Sequence, residues 1–465
     1  MKALFLCRIK FFPVPWGNTS VSQSRFLRFL VGSCCLLPVL FATSSVHAET
    51  LPEALRGALA QNPTLEQAIA AQKMAHDELR IERSNYFPTL SASTAAGRVY
   101  GNNSTSRGLS VTRGDGYSNM WEGSLSINQM IFDGLKTPRL VGAAKAREAA
   151  SEQALKDAQE SLALQTALAY LNVLRTRESL SVLNEYSGTL SGYESKIQKM
   201  VTEGAADQAE LEQARSLGLE LRSLLAGFQG QARSADAEFS RLTGHMPEAA
   251  MSKPDSIGPD LPISVDEAIS FASKAHPQIK MAEREIDAAN LTASAQTSAL
   301  FPTVTGELSA YNKDLDDVIG GEVEDNRALV RLNWSLSAGG AEFAKVDKAK
   351  EDGARSKAHK DELLRRIEAT IRTAYADLET TDQQKEISLQ RLKSNEDLLG
   401  AYHAQFEGGK VRILQLLQAE NQVLNARLEA LNAEYRALAS EYSVLGSVGQ
   451  MQNKLALNTQ SSHVK

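Results

Sequence analysis

Toward the end of the chain the large apolar residues fall at Leu417, Leu424, Leu428, Leu431, Tyr435, Leu438, Tyr442 and Leu445. Spacings of seven, four and three define a coiled-coil seam, so the stretch predicts one long helix that buries a single stripe. An earlier stripe matches it: Ala214, Leu217, Leu221, Leu224, Phe228, Ala235 and Leu242. Other segments alternate at period two. Leu90, Ala92 and Thr94 match Trp121, Gly123, Leu125 and Ile127, while Ser124, Ser126 and Asn128 take the other face. Further on, Val330, Leu332, Trp334 and Leu336 alternate with Arg331, Asn333 and Ser335. An apolar face bearing Trp, opposite a polar face, is what a membrane-barrel strand needs. The same pattern also fits a solvent-facing hairpin packed on helices.

These segments recur because the chain is duplicated. Glu53-Ala54, Pro63 and Phe87-Pro88-Thr89 return at a constant offset of 214 as Glu267-Ala268, Pro277 and Phe301-Pro302-Thr303. Past that point the offset is 205: Asn128 with Asn333, Gly134 with Gly339, Ala169-Tyr170 with Ala374-Tyr375, Gly204 with Gly409, Leu211 with Leu416. One gap of nine residues inside a loop explains both offsets. Pro247, Pro254, Pro259 and Pro262 mark the joint between the copies.

Proline placement separates helix from loop, because an interior proline costs a helix about 3 kcal/mol or more. None occurs between Pro138 and Pro247, and none after Pro302. Each copy therefore permits very long helices, broken chiefly at Gly204 and at Gly408-Gly409. The stretch from Lys136 to Val201 would be roughly 100 Å long at 1.5 Å per residue, far more than a compact domain needs.

The first 48 residues carry Lys2, Arg8, Lys10, Arg25 and Arg28 and no acid, then an apolar run from Phe29 to Phe41, then Val46-His47-Ala48. That is a secretory leader with an A-x-A-like cleavage site. Its long basic region points to an extension or an alternative start. Cys7, Cys34 and Cys35 all lie in the leader, so the mature chain has no disulfide, thiolate ligand or lipid-anchor cysteine. Losing the five leader cations takes the net charge from −6 to about −11, which disfavours nucleic acid as a partner. After the leader no stretch approaches the roughly 20 apolar residues of a spanning helix, so any membrane insertion is by strands.

Two hairpins supply four strands, and four cannot close a barrel. Open strand edges in lipid leave unpaired backbone groups that each cost several kcal/mol, so other copies of the chain must complete the ring. Three subunits would give twelve strands.

The duplicated plan and the motifs Phe87-Pro88, Gln129-x-x-Phe132-Asp133-Gly134, Ala169-Tyr170, and Gln405-Phe406-Glu407-Gly408-Gly409 followed by Leu414-x-Leu416-Leu417-x-Ala419-Glu420-Asn421 resemble the TolC family of outer-membrane channels, over about 49 to 450. The resemblance implies a mixed, mainly α fold: a homotrimeric twelve-stranded transmembrane β-barrel, four strands per chain, continued by a long periplasmic α-helical coiled-coil barrel. The expected organisation is a signal peptide over 1–48, a first repeat over 49–255 with its hairpin at about 88–132, a second over 256–450 with its hairpin at about 302–337, and a disordered tail over 451–465. Expected partners are outer-membrane lipid, a periplasmic adaptor (membrane fusion protein) and an inner-membrane transporter, with the ABC type favoured. No chemistry and no cofactor are implied. The Phe132–Thr137 and Gln405–Asn421 stretches look more like the branch serving type I protein secretion, adhesin or agglutination systems included, than the drug-efflux branch.

The tips around Gly204 and Gly408-Gly409 are expected to form the periplasmic entrance. Family members often carry acids just after the second tip, but Gln415 and Gln418 fall there in this chain. The first tip offers Glu210 with Asp207 nearby, Arg412 stands close to where the resemblance puts a gating arginine, and Phe406 falls where an aromatic often stands. Polar contacts among Arg412, Gln415, Glu210 and Asp207 are the expected gate. A solvated turn with no gating role is the competing reading.

Other signals carry less. Asp314, Asp316, Asp317, Glu322, Glu324 and Asp325 crowd one loop, but Val318 and Ile319 occupy positions where a calcium loop needs an oxygen ligand and a glycine. Arg113-Gly114-Asp115 in a Gly/Ser/Asn-rich loop reads as a turn. His76, His245, His276, His359, His403 and His463 show no paired ligand spacing, and no phosphate loop or nucleophile elbow appears, so no metal, cofactor or catalytic site is expected. Three functional readings stay open: an exit channel for type I secretion, the same architecture for small-molecule efflux, and a periplasmic coiled-coil scaffold without membrane strands.

Overall fold

The computed structural model describes residues 48–102, 115–315 and 322–455. The leader up to His47, Arg113 and Gly114, Asp316 and Asp317 with Val318 and Ile319, and 456–465 with His463 lie outside the described residues.

The first half runs α1 (Leu51–Gln61), α2 (Pro63–Ser84), β1 (Thr89–Asn102), β2 (Asp115–Phe132), α3 (Lys136–Thr202) and α4 (Gln208–Thr243). The second runs α5 (Val265–Ala275), α6 (Pro277–Gln296), β3 (Thr303–Leu315), β4 (Val323–Asn333), α7 (Ala341–Glu407) and α8 (Ile413–Val448), followed by α9 (Met451–Lys454). Starts of α1, α2 and β1 precede those of α5, α6 and β3 by 214; both ends of α3 and α4 precede those of α7 and α8 by 205. The nine-residue difference therefore falls between the two strands of each hairpin. At 67 residues each, α3 and α7 are about 100 Å long.

Each half opens with two helices joined by one extended residue. Asn62 caps α2 by accepting the Thr64 N–H at 2.9 Å, and Pro63 takes the first helical position, where its missing N–H costs nothing. The equivalent residue before α6 is His276, buried, whose Nδ1 accepts the Gln278 N–H at 3.2 Å ahead of Pro277. That bond requires a neutral ring, and burial holds the His276 pKa below its ordinary value against a smaller opposing pull from Asp157.

The strands form one antiparallel sheet, β1-β2-β3-β4. Leu90, Ala92 and Ala96 stand opposite Ile127, Leu125 and Trp121; Ile127 stands opposite Leu308, and Val304 opposite Leu332. That face is apolar. On the other, Ser91 and Ser93 meet Ser126 and Ser124 at 2.8 Å, and Arg331 pairs with Glu307 at 2.8 Å. Strands of 14, 18, 13 and 11 residues suffice to cross a bilayer, which takes about 9–11 residues when tilted. The expected run through Trp334 and Leu336 is corrected: β4 ends at Asn333, opposite Thr303. Its ladder stops there because the preceding Pro302 has no N–H to donate. Trp334 instead donates its indole N–H to the Leu300 carbonyl at 3.3 Å.

Sheet passes to helix through a left-handed pair, Gly134 (φ +70°) and Leu135 (φ +67°) in the first half. A Cβ on Gly134 would sit 3.0 Å from the Ser298 carbonyl oxygen, so the close approach requires glycine. Asp133 accepts the Lys136 and Thr137 N–H groups at 2.9 and 2.7 Å, fixing the start of α3.

The long helices form a single layer. Near the sheet its order is α2-α3-α6-α7, and toward the tips α4-α3-α8-α7. The C-terminal seam is buried as expected: Leu417, Leu424, Leu428, Tyr435, Leu438, Tyr442 and Leu445 are all at most 8 % exposed. Around mid-height the segment joining the halves crosses the layer, held by groups the helices supply. Tyr170 donates its hydroxyl to the Glu49 and Ser252 carbonyls at 2.7 and 2.6 Å, and the repeat-equivalent Tyr375 donates to Pro262 at 2.9 Å. Glu441, buried, accepts from Ser256 Oγ and the Ile257 N–H, both at 2.7 Å. The tail expectation is corrected at its start. Met451 is fully buried and its N–H donates to the buried Glu160 carboxylate at 2.7 Å, so Met451–Lys454 form an ordered turn of helix. No helix among the described residues is long and apolar enough to cross a membrane.

Because the folded His276 pKa lies below the unfolded value of about 6.5, its contribution is present above that value and is lost as pH falls through the folded pKa. We expect the temperature at which the assembly dissociates in detergent to fall between pH 7.5 and pH 5.5. His276→Asn, which installs the Asn62 cap, should flatten that slope; an unchanged slope would contradict the assignment.

Candidate functional site

The two helix-turn-helix tips are built alike. In the first, Ala205 N donates to Met200 O at 2.8 Å and Gly204 N to Val201 O at 3.1 Å; in the second, Lys410 N donates to Gln405 O at 2.9 Å and Gly409 N to Phe406 O at 3.0 Å. Each turn needs a left-handed residue, supplied by Gly204 (φ +74°) and Gly409 (φ +68°). The returning helices start from equivalent positions carrying opposite charge: Asp207 stands at the N-cap position of α4 and Arg412 at that of α8.

Aspartate suits a helix N-terminus, whereas an arginine sits unfavourably beside the positive end of the helix dipole. The structure supplies what offsets this. Arg412 Nη1 lies 3.6 Å from Glu210 Oε1 and 4.0 Å from Asp207 Oδ2. Glu210 is buried at 8 % exposure, while Arg412 and Asp207 are exposed. Gln415, the repeat equivalent of Glu210, returns its Oε1 to the Arg412 N–H at 3.4 Å, the reciprocal half of a capping box. Four of the six expected residues are thus together. Phe406 is separate: it joins the apolar packing of the tips, with the Lys196 ammonium 4.7 Å above its ring. Gln418 stands exposed about one turn beyond Gln415 on α8.

Magnitudes rank the forces. Ile197, Leu211, Ile413 and Leu417 are at most 1 % exposed and join the two hairpins, each contributing about 1.5–3 kcal/mol of burial. An exposed ion pair contributes about 0–1 kcal/mol. Within one chain the tips are held chiefly by apolar packing, and the charged cluster adds the smaller share.

Glu420 lies inside the Leu414–Asn421 stretch, where nothing local in the sequence signals its contacts. Its Oε1 accepts the Tyr193 hydroxyl at 3.0 Å and lies 3.5 Å from His403 Nε2. Burial, then the Glu420 charge, pushes the Tyr193 hydroxyl well above its ordinary range. Nearby, the Tyr186 hydroxyl is buried without a partner among the described residues, its pKa pushed up to about 12 by burial and then by Glu420 and Glu220. No group of three or more His, Cys, Asp or Glu side chains able to hold a metal occurs among the described residues.

A four-stranded sheet with two open edges, polar on one face and apolar on the other, set on a layer of 100 Å helices, defines a protomer of a barrel-and-tunnel channel. The family model for outer membrane efflux proteins matches residues 54–245 and 268–450, and the chain belongs to that family. Outer membrane efflux protein BepC of Brucella suis biovar 1 is 23 % identical over 405 residues, covering 85 % of this chain and 84 % of its own. Protein CyaE of Bordetella pertussis is 24 % identical over 390 residues (80 % and 78 %), and cation efflux system protein CusC of Escherichia coli K12 is 23 % identical over 378 (79 % of each). The crystal structure of the Campylobacter jejuni CmeC outer membrane channel matches with a TM-score of 0.74 at 19 % identity, covering 86 % of this chain and 85 % of that one.

Membership fixes the coarse function. The chain is an outer-membrane exit channel of a tripartite export system, not an enzyme. Three copies contribute four strands each to a twelve-stranded barrel continued by a helical barrel in the periplasm, and the channel works with an adaptor and an inner-membrane transporter. A free periplasmic scaffold is thereby set aside.

Proposed function

We propose that this channel serves type I secretion, passing an unfolded polypeptide of the adhesin or agglutination kind delivered by an ABC-type transporter. In this reading residues 1–48 are the exported leader, and 49–255 and 256–450 are the two repeats of the mature chain. Two features support it: the Phe132–Thr137 and Gln405–Asn421 motifs, and the neutral Gln415 and Gln418 where an acidic, cation-binding ring would otherwise stand. The efflux reading has its own support in the relatives BepC and CusC, whose names carry efflux. The two separate in a deletion strain. Loss of one or a few very large secreted or surface proteins with unchanged susceptibility to unrelated toxic compounds is expected; intact secretion with raised susceptibility would move the chain to efflux.

The same entrance is gated by Arg412. The single observation that carries this is a cation at the N-terminus of α8 held 3.6 Å from the buried Glu210 of the other tip. Repeated in three chains at about 0–1 kcal/mol each, the pairs shift the closed-to-open ratio by at most roughly a hundredfold. Arg412→Ser should raise single-channel conductance or open probability in planar bilayers. Arg412→Glu should raise it further, and adding Glu210→Arg should return it toward wild type. An unchanged trace for Arg412→Ser removes the gate assignment.

A further inference from the structure

The apolar face of the sheet carries a single arginine among the described residues. Arg327 and Arg331 lie on the polar face, where they pair with Asp325 and Glu307. Arg98 of β1 instead has the parity of Leu90, Ala92 and Ala96, which stand opposite Ile127, Leu125 and Trp121. Its side chain therefore belongs to the face that meets the acyl chains. It is exposed, and it forms no hydrogen bond or ion pair among the described residues.

What Arg98 does meet is aromatic. Its guanidinium lies 5.2 Å from the centroid of the Tyr117 ring, and that ring lies 5.1 Å from the ring of Tyr100, directly opposite across the β1–β2 ladder. A guanidinium over a ring engages one face of its plane and leaves the N–H donors at the edge of that plane. Those donors need an acceptor from outside the described chain.

Height on the barrel says what they meet. The long helices are periplasmic, so the far ends of β1 and β2 point to the cell exterior. Exposed Phe87, Phe301 and Trp334 mark the periplasmic end of the apolar band, and exposed Tyr100 and Tyr117 mark its other end. Arg98 stands nine residues along β1 from Thr89. At about 3.4 Å per residue and a tilt of about 40°, it is about 23 Å above the periplasmic end, close to the roughly 25 Å height of an apolar band. A cation on the lipid face is most unfavourable at the midplane and little so at the interface. Arg98 is thus level with the headgroups of the outer leaflet, where phosphate oxygens match the planar fork of its donors.

We propose that Arg98, Tyr100 and Tyr117 form a binding site for the phosphorylated headgroup of an outer-leaflet glycolipid, repeated once in each chain of the channel. Arg98 gives a bidentate pair to one phosphate, Tyr117 braces the guanidinium from behind, and the two rings pack against the sugar and the upper acyl carbons. Strand pairing with a neighbouring copy uses the backbone edge of β1, in the plane of the sheet, and leaves this face to lipid. The site follows from the outer-membrane placement and is independent of the exported cargo.

Delipidated wild-type trimer in detergent, titrated with bisphosphorylated lipid A and read by native mass spectrometry, should take up as many as three lipids, one for each chain. Lipid A stripped of both phosphates should bind at least about tenfold more weakly, a comparison that needs no variant. Arg98→Gln should weaken binding of the phosphorylated lipid by a similar factor and leave binding of the stripped lipid unchanged. Arg98→Lys, which keeps the charge and loses the fork, should fall between, as should Tyr117→Leu. Arg327→Gln, on the polar face, should bind as wild type, and heat-modifiable trimer bands report the assembly of every variant. Inorganic phosphate in large excess should displace none of the lipid; displacement would make this a site for a free ion and overturn the lipid assignment. Equal binding of the two lipids by the wild type, or undiminished binding by assembled Arg98→Gln, overturns the proposal and leaves the channel standing. If Arg98→Gln does not assemble, the comparison of the two lipids on the wild type still decides.

Discussion

The two outer edges of the sheet are the constraint from which the assembly follows. β1 and β4 are the outer strands of the sheet, with no further strand beside them among the described residues, and in hydrocarbon each unpaired backbone group costs several kcal/mol. Covering the edges with side chains or loops answers that cost in water but not in lipid. Three copies of an evenly antiparallel four-stranded sheet close without a mismatch of strand direction. The polar face with its serine pairs and Arg331–Glu307 contact then lines the interior, and the face with Leu125, Ile127 and Leu332 meets the acyl chains.

The helical layer is tied to that ring by short, stiff junctions. Asp133, Gly134 and Leu135 turn β2 into α3 within a few residues, and Gly340 performs the equivalent turn into α7 with φ +68°. At mid-height Tyr170, Tyr375 and Glu441 fasten the segment between the halves across the layer. Below that belt the layer continues as α4-α3-α8-α7, and at its end exposed charge pairs stand on a buried apolar seam.

Much of this was legible in the sequence because the duplication supplied two readings of every element. The offsets of 214 and 205 recur at the element boundaries, the period-two faces of β1 and β2 hold in register, and the Leu and Tyr seam of α8 is buried. What stayed hidden depended on contacts between residues remote in the chain. Nothing local told that Ala169-Tyr170 and Ala374-Tyr375 recur because each tyrosine hydroxyl holds a backbone carbonyl 82 to 121 residues away. Trp334 and Leu336 kept the alternation of a strand but lacked a ladder partner in the same chain. Met451 looked like the start of a polar tail, and only the position of the Glu160 carboxylate reveals a capped turn. At the tips Asp207, Glu210, Arg412 and Gln415 stand together, and Phe406 joins the apolar packing beside them.

The central claim is that three chains share one pore. Purified protein inserted into planar bilayers tests it most directly. A shared barrel predicts that each trimer enters as a single conductance step with no substeps at one third of its size. Insertions that close in three equal steps would mean that each chain forms its own pore, and would contradict the account.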